Sequence, residues 1–394
     1  MSCTRKSLYI LLTYKFFTSF GASLFMPFFS LYFIKLGGTP SVLGIVGSVS
    51  SFMLLCLNFL GGYLTDKYGN WLVFGVLLTT TNVFILLYSI AWSWEILFLL
   101  ILLATLFCFY GPALDSLIAS TFREEERAIG YQLLEIARRI VKLLSPLVAG
   151  LLISTFGILT GVRIGTVVAG TLGIISGLLV LFFMRGEQIN FQSNKASFRF
   201  FEGYFNLFKR VSKKLIFIIF LGSMVIFVYT MVSPYLVIYS MDVVKLSGIE
   251  YGLILSICNT LVTFVVLPLT GLIVKKIGEI DCIIISSFVL TLSTFLFLTQ
   301  PSFLGVLFSY VFLETSLNFY RPAIFSFWTR NIKESDRGKF SSLISFIEGT
   351  TILASFLGGR LYETNQIFLF IAGVLIGFLT AITLLFLKVL GCIK

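Results

Sequence analysis

The sequence predicts an all-α membrane protein of twelve transmembrane helices arranged as two repeated halves. Hydrophobic residues make up 58% of the 394 residues and charged residues only 12%, whereas an average soluble chain is about 25% charged. The apolar residues form blocks of about 20, the length a helix needs to cross a bilayer. Several short patterns also recur in the second half of the chain at a nearly fixed offset.

The apolar blocks define the predicted spans. Because hydrocarbon offers the backbone no hydrogen-bonding partner, each block is expected to be helical. The first run follows Arg5 and Lys6, as a secretory signal would, but it continues to Phe33 without a small-residue cleavage site and is interpreted as an uncleaved helix. The twelve predicted spans are 8–34, 41–64, 71–90, 95–119, 128–153, 162–184, 215–239, 250–273, 281–299, 302–328, 339–359 and 366–388.

The longest polar stretch divides the chain into an N-terminal bundle at 1–184, a linker at 185–214 and a C-terminal bundle at 215–394. Basic residues gather in the loops of one side, and the other side has only Lys35, Arg163, Lys245 and Arg360. Basic loops are retained in the cytoplasm. Both termini and the linker are therefore predicted to be cytoplasmic.

The composition also excludes several chemistries. The chain has no histidine, and its cysteines show no C-x-x-C spacing, so no metal site, cofactor or disulfide framework is predicted. Proton coupling would have to use carboxylates. The net charge of +11 comes from residues scattered among short loops, so it indicates topology rather than a nucleic-acid partner.

An internal repeat supports the two halves, since such repeats indicate two similar structural units. Asp66 is an exception, because the second copy has Lys275 there. The matching positions are Pro112, Ala113, Ser116 and Arg127 with Pro322, Ala323, Ser326 and Arg337, and Gly62, Lys67 and Gly69 with Gly271, Lys276 and Gly278.

The segment Gly62-Tyr-Leu-Thr-Asp66-Lys67-Tyr-Gly69 is interpreted as a loop at the membrane surface. It resembles the Gly-x-x-x-Asp-Arg/Lys-x-Gly-Arg/Lys signature of the major facilitator superfamily of secondary transporters. Asn70 stands where that family often has a base. The resemblance implies two pseudo-symmetric six-helix bundles and a cytoplasmic latch in which Asp66 is the working acid.

The expected gating residues extend beyond this signature. Many family members have an acid seven residues before the arginine that matches Arg127, and here that position is Ser120. Asp115 lies beside Pro112 near the cytoplasmic end of the fourth span, where a local cap or a pairing with a loop base is the alternative. The predicted gating set is Gly62, Asp66, Lys67, Gly69, Asp115, Arg127 and Arg337.

The fifth span carries four charged residues, Glu135, Arg138, Arg139 and Lys142. Each charge near the bilayer centre costs about 2.5–3.5 kcal/mol on insertion scales, so this span is expected to face protein or water. The four residues fall within an arc of roughly 100° on a helix. Glu135 is expected to neutralise only one arginine well, so the stripe keeps surplus positive charge.

Further charges lie within other spans. Glu314, Asn318 and Arg321 share one face of the tenth span, Glu348 lies near the middle of the eleventh, and Lys15 lies in the first. The family resemblance implies that spans 1, 4, 7 and 10 line a central cavity with spans 2, 5, 8 and 11 between the halves, so that these residues converge on one water-filled pathway. The alternative is a set of salt bridges that only hold the bundle together.

The leading hypothesis is a secondary transporter, not an enzyme, that moves a small solute across the cell membrane by alternating access, as a proton-coupled monomer in the lipid bilayer. Surplus positive charge favours an anionic or polar substrate held by Lys15, Arg138 and Arg139, and aromatic residues in the first and seventh spans would suit an amphipathic one. Protonation of Glu314 or Glu348 would supply the coupling. A multidrug-type exporter of hydrophobic or cationic compounds and a non-transporting sensor on the same fold remain alternatives. A membrane enzyme is disfavoured by the repeat and the missing histidine.

Overall fold

The computed structural model describes residues 2–122, 126–184, 212–332 and 351–390, together with positions 340, 344 and 347–349. Almost all of the predicted linker at 185–214, and the gating candidate Arg337, lie outside these ranges. All secondary-structure elements in the described ranges are helices, and no strand occurs among them. The predicted all-α class is therefore confirmed.

The helices are labelled in chain order. A 3₁₀ turn at Met26–Phe28 separates α1 from α2, a π-helical segment at Tyr239–Val243 follows α8, and another at Val262–Val266 joins α9 to α10. The labels are α1 (Ser2–Phe25), α2 (Phe29–Lys35), α3 (Pro40–Tyr68), α4 (Asn70–Leu87), α5 (Trp94–Phe107), α6 (Gly111–Thr121), α7 (Arg127–Phe183), α8 (Lys213–Ile238), α9 (Gly248–Leu261), α10 (Leu267–Ile277), α11 (Glu279–Thr299), α12 (Phe303–Asn331), α13 (Thr351–Thr364) and α14 (Gln366–Val389).

Ten helical segments in the described ranges are long and apolar enough to cross a membrane. One of them, Ile129–Phe183, is bent at Gly157, whose φ of 79° and ψ of 166° interrupt α7. The predicted connection between the fifth and sixth spans is thus a single non-helical residue in the structure. The predicted eleventh span is described mainly as α13, Thr351–Thr364, so the count of twelve stays a prediction.

The chain divides into two compact units, Met1–Ser193 with Ser247–Ser256, and Asn194–Leu246 with Ile257–Lys394. In the first unit, Tyr14 packs edge-on against Phe74 with ring centroids 5.0 Å apart. In the second unit, Phe297 stacks on Phe370 at 5.3 Å. The predicted domain boundaries at 184 and 214 stay a prediction, because the linker falls outside the described ranges.

The interpretation of 62–69 as a loop is wrong. Helix α3 continues through Gly62, Asp66 and Lys67 to Tyr68, and the chain reverses at Gly69 with φ 91° and ψ 150°. The second unit repeats this reversal at Gly278, with φ 93° and ψ 164°. A positive φ suits glycine, which has no Cβ, and one such residue is enough to connect two helices, so no longer loop is needed.

Candidate functional site

Glu135 and two arginines form an ionic cluster on α7 in the first unit. Arg139 Nε lies 2.9 Å from Glu135 Oε1, while Arg138 Nε donates to Oε2 at 2.7 Å and a second contact joins Arg138 Nη2 to Oε1. Glu135 thus contacts both arginines, although its single negative charge can neutralise only one of them. The carboxylate has two oxygens and meets both guanidinium groups, which have planar donor geometry.

Lys15 of α1 lies beside this cluster. Its half-buried ammonium interacts electrostatically with Arg138 and Glu135, and within the described ranges it makes no hydrogen bond or ion pair. Two arginines and one lysine against one glutamate leave this group of four with a charge of +2. The adjacent Tyr14, packed on Phe74 in the core of the unit, fixes which face of α1 carries Lys15.

Glu314 of α12 is the centre of a polar group in the second unit. Tyr229 of α8 donates a hydrogen bond from its hydroxyl to Glu314 Oε1 at 3.0 Å. Asn318, predicted to share the face of Glu314, donates its side-chain amide to the Glu314 carbonyl oxygen at 2.7 Å. The Asn318 amide donor is thus used within its own helix.

Arg321 lies two turns beyond Glu314 on α12 and is exposed. It interacts electrostatically with Tyr229 and with Glu348. Among the described residues, Arg321 forms no ion pair with either Glu314 or Glu348. The solute-pathway role of these groups and the alternative of salt bridges that hold the bundle together both stay predictions.

Sequence reasoning missed two members of this polar group, Tyr229 and Cys258. Cys258 of α9 is buried and interacts electrostatically with Glu314 and Tyr229. The only available signal was a tyrosine inside an apolar span, and 16 tyrosines in the chain make that signal weak. Pairing across 85 positions also depends on the rotation of two helices, which span patterns do not define.

The two clusters resemble each other in placing charged groups within helices of membrane-spanning length. The sequence profile of the Major Facilitator Superfamily matches residues 11–353. The chain belongs to the major facilitator superfamily. The predicted family is thus confirmed, and with it a multi-pass membrane transporter rather than an enzyme. A comparison with curated protein sequences found no match.

Solved structures of other superfamily transporters share the fold. The nucleoside transporter NupG is 17% identical with a TM-score of 0.74, covering 100% of both chains. A POT family transporter in complex with a thioalcohol-conjugated peptide is 15% identical with a TM-score of 0.73, covering 98% of this chain and 95% of that one. A bacterial homologue of the human lysosomal transporter Spinster is 13% identical with a TM-score of 0.72, covering 97% and 98%.

Within the superfamily signature, Asp66 and Lys67 are both exposed near the end of α3. Lys67 Nζ lies 5.0 Å from the ring centre of Tyr68 and 5.9 Å from that of Tyr63, and a hydrogen bond to Tyr68 raises the pKa of Lys67. Asp66 has no hydrogen bond or ion pair within the described part of the chain. Gly62 faces open space, whereas Gly69 makes the reversal described above.

The other gating candidates are Asp115 on α6, Arg127 at the start of α7, and Arg337. Asp115, exposed on α6, accepts a hydrogen bond from the Tyr131 hydroxyl at 3.2 Å, which links α6 to the first turns of α7. Arg127 begins α7, but its side chain lies outside the described part of the structure, as does Arg337. The gating roles of these residues stay predictions.

Proposed function

We propose that this superfamily member moves a small anionic solute across the cell membrane by alternating access, coupled to protons. It would act as a monomer with both termini in the cytoplasm. The observation that carries the proposal is the charge of +2 shared by Lys15, Arg138, Arg139 and Glu135, on two helices of membrane-spanning length.

Such surplus charge is costly in a membrane protein. Ionisable residues in spans are expensive and generally pair with one another or mark a solute pathway. Here Glu135 is shared by two arginines, and Lys15 is left with no hydrogen-bonding partner in the described ranges. An anionic group on the solute would supply that partner, and it would be bound more tightly than a neutral analogue because it offsets the charge.

The polar group of the second unit supports the proton coupling. Glu314 lies in α12 and Glu348 lies just before α13. Neither carboxylate forms an ion pair with a described residue. A carboxylate that takes up a proton loses its charge, so the electrostatic balance around Arg321 changes with it. Either glutamate could therefore couple proton movement to solute movement.

Uptake into vesicles made with purified protein tests the proposal. A panel of carboxylates and their uncharged amides is compared with and without a pH gradient, in the wild type and in Lys15→Met. We expect at least one carboxylate to accumulate in preference to its amide, and Lys15→Met to lose that preference. Lys35→Met, which removes an exposed lysine at the end of α2, just after the predicted first span, is the control and should keep it.

A second candidate is export of cationic compounds, favoured by the Glu314 carboxylate, which accepts a hydrogen bond from Tyr229 but forms no ion pair with a described residue. It predicts that an organic cation stabilises the purified protein against heat and that Glu314→Gln abolishes this effect. Stabilisation by such a cation, with no response to any carboxylate, would replace the anion proposal.

Coupling through carboxylates would be wrong if Glu314→Gln and Glu348→Gln both left gradient-driven uptake unchanged.

A further inference from the structure

The hydrogen bond between Tyr229 and Glu314 joins two helices that are far apart in sequence. Tyr229 projects from α8 and Glu314 from α12, both half-buried, and their oxygens lie 3.0 Å apart. Each residue belongs to a helix with the length and hydropathy of a membrane span. A carboxylate in such a place needs a donor, because losing the hydrogen bond would leave a buried charge unsatisfied.

The other groups around the Glu314 carboxylate do not provide that donor. Cys258 of α9 and Arg321 of α12 are within electrostatic range of the pair, but neither is hydrogen-bonded to the carboxylate in the described structure. The Asn318 amide donates to the main chain instead. Tyr229 is thus the side-chain donor that the described residues offer to Glu314.

A phenol suits a carboxyl group that gains and loses a proton. It donates to the charged carboxylate and can accept from the neutral acid, so the pair can stay hydrogen-bonded in both protonation states with the roles reversed. An arginine or lysine in the same place could only donate. The geometry therefore fits a carboxyl group that exchanges protons better than one with a fixed charge.

We infer that Tyr229 is a positioning residue that holds Glu314 for proton exchange and is needed for coupling rather than for solute binding. This inference rests on the proposed function, specifically on Glu314 as a coupling carboxylate. Tyr229 acts through Glu314, and the cluster on α1 and α7 that would hold an anionic solute has no part in it.

Tyr229→Phe tests the inference in vesicles that contain the full-length protein. Two rates are measured, accumulation driven by a pH gradient and solute exchange at equal pH on both sides. We expect gradient-driven accumulation to fall about tenfold or more, since a hydrogen bond to a charged group is lost, while exchange changes little. A role in structure alone would lower both rates together.

Tyr239→Phe is the matched control. It also removes a tyrosine hydroxyl, here from a buried side chain in the segment that continues α8, but that hydroxyl donates to the Phe297 carbonyl oxygen at 3.0 Å. Both rates should keep their wild-type ratio in this variant. Tyr229→Gln retains a donor and should keep more coupling than Tyr229→Phe; equal loss in the two folded variants would contradict donation as the role of Tyr229.

Glu314→Gln and the double variant separate this inference from the proposed function. If Tyr229 acts through Glu314, adding Tyr229→Phe to Glu314→Gln produces no further loss of coupling. Normal coupling in Tyr229→Phe, with coupling lost in Glu314→Gln, would overturn the inference and leave the proposed function standing. Normal coupling in Glu314→Gln would remove Glu314 from the proposed function and the inference with it.

Discussion

The side-chain amide of Asn70 donates a hydrogen bond of 3.0 Å to the hydroxyl of Ser120. Ser120 in turn donates to the Leu117 carbonyl oxygen at 2.8 Å, so the contact between α4 and α6 is satisfied without any charge. In many superfamily members these two positions hold a base and an acid. Here they hold an amide and a hydroxyl, which form a neutral pair.

The second unit has an ion pair at the corresponding place. Glu279 follows Gly278 as Asn70 follows Gly69, and Arg330 stands at the repeat position of Ser120. Arg330 Nη1 lies 3.3 Å from Glu279 Oε1, which also accepts from the Ser326 hydroxyl at 3.1 Å. The same helix contact is thus made by an amide and a hydroxyl in one unit and by opposite charges in the other.

The Asn70 pair predicts a strong coupling between two substitutions. Asn70→Glu places an acid beside Ser120 at a buried position and should destabilise the protein by about 1–3 kcal/mol. Adding Ser120→Arg should recover most of that loss by recreating the ion pair of the second unit. Thermal unfolding of the two single variants and the double variant measures the coupling, and strictly additive losses would show that the contact is unimportant.

The Glu279 pair should contribute less, because its arginine side chain is 76% exposed. Arg330→Gln should cost under about 1 kcal/mol, and the difference from wild type should shrink in about 1 M salt, where the Debye length is about 3 Å. Unfolding temperatures at low and high salt check this. A larger loss that is unaffected by salt would point to a packing role for the arginine stem.

Backbone conformation at Gly278 makes a third prediction. Alanine at φ 93° is strained, so Gly278→Ala should destabilise the protein by roughly 1–2 kcal/mol. Gly271→Ala is the control, since this residue lies within helix α10 with open space around it, and helix propensity should make the change neutral or stabilising by up to about 1 kcal/mol. The opposite order of stabilities would contradict the turn geometry.

Lys15 predicts a conflict between stability and function. Its ammonium lies beside Arg138 without a hydrogen bond in the described ranges, so Lys15→Met should raise the stability of the protein by about 1 kcal/mol or more. The same change should abolish the preference for carboxylates. A fall in unfolding temperature would mean that the lysine is structurally paired, and Lys35→Met again serves as the control.

The membrane spans could be predicted because the backbone of a span in lipid must satisfy its hydrogen bonds internally, as a helix does. Each span therefore appears in the sequence as a block of apolar residues. The end of α3 could not, because the helix continues beyond the apolar block, through the polar stretch from Gly62 to Tyr68. The charged stripe of Glu135 and Arg138 followed from helical spacing alone.

Contacts between helices could not be predicted from a single sequence. The bond from Tyr229 to Glu314 depends on the rotation and depth of α8 against α12. The position of Lys15 beside Arg138 was expected from the family resemblance rather than from any pattern in the residues. Sharing of Glu135 by two arginines depended on rotamers, which spacing does not define.

The reversals at Gly69 and Gly278 are each a single residue long, so the two helices that each one connects follow each other directly. Neither α3 and α4, nor α10 and α11, can slide apart at these ends without unwinding a turn. We therefore expect the two helices of each hairpin to move together, and spectroscopic labels on its two arms should report the same displacement.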